Sequence, residues 1–216
     1  IELRLLAHIA DDETMRAAFN SGEDIHTVTA SQVFGVPAER VTKQMRANAK
    51  AVNFGIVYGI SAFSLSQDIG VSVSDAKAYI ESYLMRLSGV RRYMTDVAEQ
   101  AKARGYVETV MHRRRNLPEL TAANFATRSF GERVALNMPI QGTAADILKL
   151  AIKRILLGLP ERPWLKPILQ IHDELTFIIP KDKLSEAVQF IKGCMEEQPF
   201  PEFDLPLSKL ARVVLA

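Results

Sequence analysis

Apolar side chains recur at helical spacing along most of the chain, and residues that favour turns divide the pattern into segments. Residues 1–20 carry apolar positions three and four apart, and Asn20-Ser21-Gly22 follows them as a stop. Asp24 and Ser74 can each cap a helix at its start, and Gly59 can end the longest one. The pattern predicts helices at about residues 24–34, 38–58, 61–68, 74–85, 90–104, 122–136, 143–157 and 185–197.

Two short parts of the chain have a β pattern instead. Val107–Met111 contains β-branched residues and predicts a short strand, and Arg113-Arg114-Arg115 then falls in a predicted loop. Pro167–Ile179 contains two apolar runs that meet at His172-Asp173-Glu174, which predicts a β-hairpin. Earlier in the chain, Pro139 is expected to interrupt the helical pattern between the predicted helices at residues 122–136 and 143–157. The predicted fold class is α+β, mostly helical, with a small antiparallel sheet late in the chain.

The overall charge gives little indication of a partner. The chain has 27 Lys and Arg against 25 Asp and Glu, so any basic surface must come from local clustering. The single cysteine, Cys194, excludes a disulfide framework within the chain and a zinc site with several cysteine ligands. No apolar run approaches the roughly 20 residues that span a bilayer, and the first residues lack a signal-peptide layout. A cytoplasmic protein without a membrane partner is expected.

The segment from residue 46 to residue 59 carries the strongest chemical pattern. Arg46, Lys50, Phe54 and Tyr58 follow one another at intervals of four and so form a stripe on one helix face. Like charges at this spacing repel by a few tenths of a kcal/mol, and two cations one turn apart match a polyphosphate. The next aromatic could stack on a base or pack against a sugar. The alternative is a solvated basic stripe with two core aromatics, which residue chemistry alone favours slightly.

The string Arg-x-x-x-Lys-x-x-x-Phe-Gly-x-x-Tyr-Gly closely resembles the fingers motif of family A DNA polymerases, the bacterial DNA polymerase I type. The resemblance implies that Arg46 and Lys50 hold an incoming triphosphate, and that Lys50 protonates the leaving pyrophosphate. It also implies that Phe54 borders the sugar and base of the nucleotide and that Tyr58 occupies the template-base position. Single-subunit RNA polymerases share part of this motif, but Asn53-Phe54-Gly55 is more similar to the DNA enzymes.

A second resemblance lies at the predicted hairpin. An acidic pair at a hairpin tip is usually a solvated turn, although one or two carboxylates together with substrate phosphate can also hold Mg²⁺. Gln-Ile-His-Asp-Glu-Leu resembles the second catalytic carboxylate motif of the same family. This implies that Asp173 is a metal ligand, that Glu174 is an auxiliary carboxylate, and that His172 touches the 3′ end of the primer. Two Mg²⁺ ions are the implied cofactor.

The first residues resemble the end of another family motif, Asp-Tyr-Ser-Gln-Ile-Glu-Leu-Arg. By this match Glu2 crowds the 2′ position of the sugar and favours deoxyribonucleotides. Taken alone, an acid near a helix start is only a favourable charge. The Asp that completes the metal site would lie four residues before Ile1. The chain is therefore expected to be a fragment without the first catalytic Asp, and the missing N-terminal part of the same enzyme is a candidate partner.

Several residues are candidates for contact with primer-template DNA. The string from Asn137 to Asp146 matches the family, and amides such as those of Asn137 and Gln141 can donate to the minor-groove acceptors present on every base pair. Arg113 and Arg114 either contact phosphate or lie in a solvated loop, and their sequence leaves both open. His26 matches a family histidine near the triphosphate, but would otherwise be an unremarkable surface histidine.

The resemblance covers roughly residues 1–208 and implies the right-hand polymerase architecture without its thumb. It divides the chain into a palm segment at 1–20, fingers at 21–120, and palm with the carboxylate hairpin at 121–216. The implied function is template-directed DNA synthesis in bacterial replication or repair, in which dNTPs are added to a primer 3′ end by two-metal phosphoryl transfer. The alternatives are a catalytically inactive fragment that binds DNA or nucleotide, a single-subunit RNA polymerase, and a purely structural helical domain.

Overall fold

Helices make up most of the protein, for which a computed structural model describes residues 1–172 and 174–207. The chain divides into two compact units, Ile1–Thr143 and Ala144–Ala216. The predicted class is confirmed, because the described strands form only small antiparallel sheets beside these helices. In the described part, no helix combines the length and the hydropathy that are needed to cross a membrane.

The helices of the first unit are short and follow one another closely. They are α1 (Glu2–Ile9), α2 (Glu13–Ser21), α3 (Ile25–Phe34), α4 (Lys43–Val57), α5 (Ala62–Ile69), α6 (Val73–Arg86) and α7 (Ser88–Arg104). The long α8 (Phe125–Gly158) begins in this unit, and α9 (Leu184–Glu196) belongs to the second unit. Strands β1 (Tyr106–Glu108) and β2 (Arg114–Asn116) pair in the first unit, and β3 (Lys166–Ile171) and β4 (Glu174–Ile178) pair in the second.

Side-chain caps decide where most of the early helices begin. Asp24 caps α3 as predicted, since its carboxylate accepts from the backbone N–H of Thr27. The helix predicted from residue 38 begins later, because Thr42 is extended and its hydroxyl accepts from Met45 N at 3.2 Å. The prediction that Ser74 caps a helix is wrong. Ser72 caps α6 instead, because its hydroxyl accepts from the backbone N–H of Asp75.

The helical pattern of residues 1–20 splits into two helices at Asp12. The buried carboxylate of Asp12 caps α2 by accepting from Met15 N at 3.1 Å. Its second oxygen accepts from Gly89 N at 3.0 Å and from Val90 N at 3.4 Å, in the first turn of α7. A Cβ on Gly89 would lie 2.7 Å from the carbonyl oxygen of Ala10, so this close approach requires glycine. One carboxylate therefore joins the starts of two helices that are distant in sequence.

The expected interruption at Pro139 is wrong, since α8 continues through the proline. A proline inside a helix removes one backbone hydrogen bond. The neighbouring Ala135 and Ile140 are buried, so side-chain packing holds the helix on both sides of the missing hydrogen bond. Thr143, which stands one turn later, donates its hydroxyl to the Pro139 carbonyl and accepts from Val110 N at 3.1 Å.

Arg113 lies in the predicted loop, whereas Arg114 and Arg115 lie in a strand. Strand β2 contains Arg114 and Arg115, and Val107 of β1 is opposite Arg115 in the antiparallel register. His112 makes the turn between the strands with φ 62°, a left-handed conformation that is unusual for a residue with a Cβ. Strands β1 and β2 form a two-stranded ribbon, here called the arginine ribbon. Its apolar side belongs to a small cluster of Ala101, Val107, Leu117, Leu120 and Ala135.

The predicted hairpin in the second unit is confirmed. Strands β3 and β4 pair with Ile171 opposite Glu174, and the register is irregular between Pro167 and Leu169. Arg154 of α8 secures the end of α9, because its guanidinium lies 3.0 Å from the Glu197 carboxylate. The last residues, 208–216, lie outside the described part of the chain.

Removing the Asp12 carboxylate is expected to destabilise the protein more than removing an ordinary cap. Asp12→Ala deletes one cap and leaves the buried N–H of Gly89 without its acceptor, so the free energy of unfolding should fall by about 2–4 kcal/mol. Ser61→Ala, which removes the single exposed cap of α5, is the matched control and should cost about 1 kcal/mol. Urea unfolding of both variants measures the difference, and equal losses would contradict the double role.

Candidate functional site

Helices α3 and α4 pack together and carry most of the residues predicted to bind a nucleotide. The buried side of α4 includes Ala49, Val52 and Asn53. Because a helix turns about 100° per residue, the same segment exposes Arg46 and Lys50. The predicted cationic stripe therefore stands on a helix whose other face is fixed in the core of the first unit.

Arg46 is held by a carboxylate that the sequence indicated only as a helix cap. Its Nε lies 2.6 Å from Asp24 Oδ2 and its Nη2 lies 3.0 Å from Asp24 Oδ1, a bidentate ion pair. The hydrogen bond from Arg46 lowers the pKa of Asp24 to about 2, although burial opposes the shift. Asp24 thus caps α3 and orients Arg46 at the same time, and its spacing of 22 residues from Arg46 gave no signal of the second role.

His26, Lys50 and Phe54 come together beside this ion pair. The Lys50 ammonium lies 5.9 Å from the centroid of the Phe54 ring, and the His26 and Phe54 ring centroids are 6.0 Å apart. Burial is the main cause that lowers the pKa of His26, and the charges of Arg46 and Lys50 add to it while Asp24 opposes them. Three residues that the sequence placed near a triphosphate therefore lie next to one another.

A buried hydrogen-bond network underneath them was missed by sequence reasoning. Asn53 is fully buried, and its Nδ2 lies 3.1 Å from His26 Nδ1 and 3.0 Å from Thr29 Oγ1. Thr29, also buried, donates back to Asn53 Oδ1 at 3.2 Å. The available signal was a polar residue at a buried position of the helical pattern, which requires hydrogen-bond partners.

Predicted residues from distant parts of the first unit meet at the end of α4. The Tyr58 hydroxyl donates to Glu2 Oε2 at 3.1 Å, and burial followed by the charge of Glu2 raises the pKa of Tyr58. Asn137 of α8 donates from Nδ2 to the carbonyl of Val57 at 3.4 Å. Gln141 follows one turn later on α8 and is exposed. The structure therefore gathers Glu2, Tyr58 and Asn137 around the end of α4, and the separate role that the resemblance implies for each stays a prediction.

The arginines of the arginine ribbon are exposed, and Arg114 also contacts side chains of β1. Both Arg113 and Arg114 are exposed. The Arg114 guanidinium lies 3.6 Å from the centroid of the Tyr106 ring and 3.6 Å from the Glu108 carboxylate. These contacts hold Arg114 along the ribbon surface, which is compatible with a phosphate contact on its outer side.

In the second unit, the structure describes one of the two predicted metal ligands, Glu174. Asp173 lies outside the described residues, and Glu174 is exposed at the start of β4. His172 has φ 53°, a left-handed conformation, and its carbonyl accepts from Gln170 Nε2 at 3.3 Å. Within residues 1–172 and 174–207, no three His, Cys, Asp or Glu side chains form a group that could hold a metal ion. The roles of Asp173, Glu174 and His172 stay predictions.

The ion pair between Asp24 and Arg46 is expected to stabilise the folded protein by an amount that depends on pH. The pKa of Asp24 falls from its ordinary 3.8 to about 2 in the folded protein, so the stabilisation is present above pH 3.8 and is lost as the pH drops through 2. Asp24→Asn keeps a capping oxygen and should lower the free energy of unfolding by about 0.5–1 kcal/mol at neutral pH.

Unfolding of both proteins between pH 7 and pH 2 measures this effect. The difference in the free energy of unfolding between the wild-type protein and Asp24→Asn should narrow below about pH 3.8, since the wild-type carboxylate becomes protonated there. Asp68→Asn removes an exposed carboxylate of α5 and serves as the control. A gap for Asp24→Asn that stays constant down to pH 2 would contradict the ion pair.

The family model of DNA polymerase family A matches residues 1–213. DNA polymerase I of Streptococcus pneumoniae (strain ATCC BAA-255 / R6) is 50% identical over 199 residues, which cover 91% of this chain and 23% of that protein. DNA polymerase I of Bacillus subtilis (strain 168) is 50% identical over 197 residues, which cover 91% of this chain and 22% of that protein.

A solved structure agrees with the fold as well as with the sequence. The POL domain of Pol1 from M. smegmatis, in complex with DNA primer-template and dNTP, superposes with a TM-score of 0.89 at 41% identity. The match covers 96% of this chain and 36% of that chain. The chain spans about a quarter of the length of the two bacterial polymerases that it matches. Because a family model matches nearly the whole chain and a solved relative shares its fold, this chain belongs to DNA polymerase family A.

Proposed function

We propose that this chain forms the nucleotide-holding part of an enzyme that adds dNTPs to a primer 3′ end on a DNA template. The observation that carries the proposal is the convergence of Arg46, Lys50, His26 and Phe54 on two packed helices. A polyphosphate with an attached sugar and base needs both charge neutralisation and a flat apolar contact, and this group offers both. The M. smegmatis relative in complex with primer-template and dNTP supports the same assignment.

In this proposal, Arg46 can contact a phosphate without releasing its carboxylate. Asp24 occupies Nε and Nη2 of the guanidinium, which leaves the donors of Nη1 for a phosphate oxygen. Lys50 is exposed and adds a second positive charge one turn away. Lys50 is also the proposed proton donor to the leaving pyrophosphate, because its ammonium can give up a proton whereas the guanidinium of Arg46 stays charged.

The sugar and the template base would be selected at the end of α4. Glu2, held by the Tyr58 hydroxyl, is the proposed steric block at the 2′ position. Tyr58 has an exposed ring, which suits contact with a base, and its hydrogen bond to Glu2 couples the two positions. Asn137 and Gln141 are the proposed minor-groove donors, while Arg113 and Arg114 are proposed to contact the DNA backbone.

The hairpin of the second unit is proposed to provide carboxylates for Mg²⁺. Oxygen ligands suit this ion, and the exposed side chain of Glu174 is accessible to a hydrated cation. When bound, two Mg²⁺ ions would neutralise the charge that develops during phosphoryl transfer. Asp173 is the proposed direct ligand, and His172 the contact to the primer end. The family motif that residues 1–4 resemble includes a first catalytic Asp, which would complete this metal site.

The proposed subdomains follow from these roles. Residues 21–120 would form the fingers, which hold the nucleotide, and residues 1–20 with 121–216 would belong to the palm. The nucleotide-binding groups on α3 and α4 and the hairpin at Glu174 fall on different sides of this division.

The role of Lys50 predicts a loss of nucleotide affinity without a loss of DNA affinity. Lys50→Ala removes a charged donor, which is worth about 1.5–3 kcal/mol, so the Kd for dNTP should rise at least about tenfold. Titration of the complementary dNTP onto the chain bound to a dideoxy-terminated primer-template measures this Kd without catalysis. Lys43→Ala, an exposed lysine in the first turn of α4, is the control and should change the Kd less than about twofold. Equal losses of dNTP and DNA affinity would contradict the triphosphate role.

Primer extension tests the enzyme activity itself. With Mg²⁺ and all four dNTPs, the purified chain is expected to bind primer-template but not to extend it, because the first carboxylate of the motif is not among residues 1–216. Extension that disappears in Asp173→Ala would instead show a working centre that obtains this first carboxylate elsewhere. A chain that binds neither primer-template nor dNTP would overturn the proposed function in favour of a purely structural helical domain.

A further inference from the structure

The side-chain amide of Asn53 is buried between α3 and α4 with both of its hydrogens in use. Its exposed fraction is 0%, and a buried amide is destabilising unless it is hydrogen-bonded. Nδ2 reaches Thr29 Oγ1 at 3.0 Å and His26 Nδ1 at 3.1 Å, and Oδ1 accepts from Thr29 at 3.2 Å. The amide therefore spans the gap between the core and the imidazole of His26.

This contact restricts the protonation of His26. An amide nitrogen donates but has no lone pair available to accept, so His26 Nδ1 must act as the acceptor. The ring proton then resides on Nε2, and protonation of Nδ1 would set two N–H groups against each other. Burial of the ring also disfavours the charged imidazole, and the positive charges of Arg46 and Lys50 on α4 act in the same direction, whereas the carboxylate of Asp24 at the start of α3 acts against them.

The other ring nitrogen is free to serve a ligand. Among the described residues, His26 Nε2 has no hydrogen-bond partner, and the ring is only half-buried. It stands beside Phe54, in the same group of side chains as Lys50. A neutral N–H at this point adds a directional donor to a site that already has two positive charges.

We propose that Asn53 is a positioning residue that fixes the proton of His26 on Nε2, so that the neutral imidazole donates to a phosphate oxygen of the bound nucleotide. The phosphate contact rests on the function proposed above, whereas the position of the proton does not. Asn53 would not touch the nucleotide and acts only through His26. Thr29 assists by holding the amide from the other side.

Nitrogen NMR of the chain without nucleotide tests the proton position directly. The chain contains four histidines, so ¹⁵N-histidine labelling gives few signals, and His26→Gln identifies those of His26. Long-range ¹H–¹⁵N correlations are expected to show an unprotonated Nδ1 and a protonated Nε2 at pH 7.5. A proton on Nδ1, which would mean that Asn53 accepts through its oxygen, would overturn the proposal without any variant.

The replacement Asn53→Asp keeps the size of the side chain but reverses its hydrogen-bonding character. A carboxylate accepts from Nδ1, so the proton should move to that nitrogen, and the titration midpoint of His26 should rise by about one pH unit or more. Asn48→Asp introduces the same charge five residues earlier on α4, where the Asn48 side chain accepts from Gln44, and should leave the His26 signals unchanged. An unchanged tautomer in a folded Asn53→Asp protein would show that Asn53 is merely structural, which overturns the proposal.

Addition of Mg²⁺ and dATP to the chain bound to a primer-template with thymine as the templating base separates the position of the His26 proton from the phosphate contact. The Nε2 signal of His26 should shift on binding, and the Kd for dATP should rise about fivefold or more in Asn53→Asp, with primer-template affinity unchanged. An Nε2-protonated His26 that does not respond to dATP, in a chain that does bind it, would overturn the phosphate contact. A chain that does not bind dATP at all would overturn the proposed function and leave the role of Asn53 in setting the tautomer supported.

Discussion

The packing of α4 on α3 is the constraint on which the candidate site depends. Asn53 stands in this contact as a fully buried amide, and it can be satisfied only where Thr29 and His26 lie opposite. An apolar contact would tolerate a small slide of one helix along the other, whereas this network does not. The register that satisfies Asn53 also sets Asp24 against Arg46 and His26 against Phe54.

The same contact resolves the electrostatic problem of a cationic helix. Two positive side chains one turn apart repel each other, and no charge from α4 itself offsets them. Asp24 supplies a negative charge from α3 and fixes the guanidinium in one plane, so Arg46 is oriented before any ligand arrives. Lys50 keeps its freedom as an exposed ammonium, and His26 contributes a donor without a third charge. The group is thus suited to a polyanion without an excess of fixed positive charge.

Local chemistry determined much of the fold. The caps at Asp24 and Ser61, the glycine ends and the apolar spacing are read within a few residues, so most helices of the first unit and the hairpin of the second could be predicted. Predictions failed where a neighbour from elsewhere took part. Packing on both sides of Pro139 carries α8 past a residue that ordinarily ends a helix, and pairing with β1 turns the arginine loop into a strand.

The sequence by itself determined that Arg46, Lys50, Phe54 and Tyr58 share one face of a helix, because they follow one another at intervals of four. Only the tertiary structure decided what each of them touches. Asp24 and Arg46 are 22 residues apart, Glu2 and Tyr58 are 56 apart, and Asp12 and Gly89 are 77 apart. Helical periodicity reports neighbours within one or two turns, so it carries no information about such pairs. The packing of the helices brings them together, and it alone shows that Asp24 and Asn53 belong to the site.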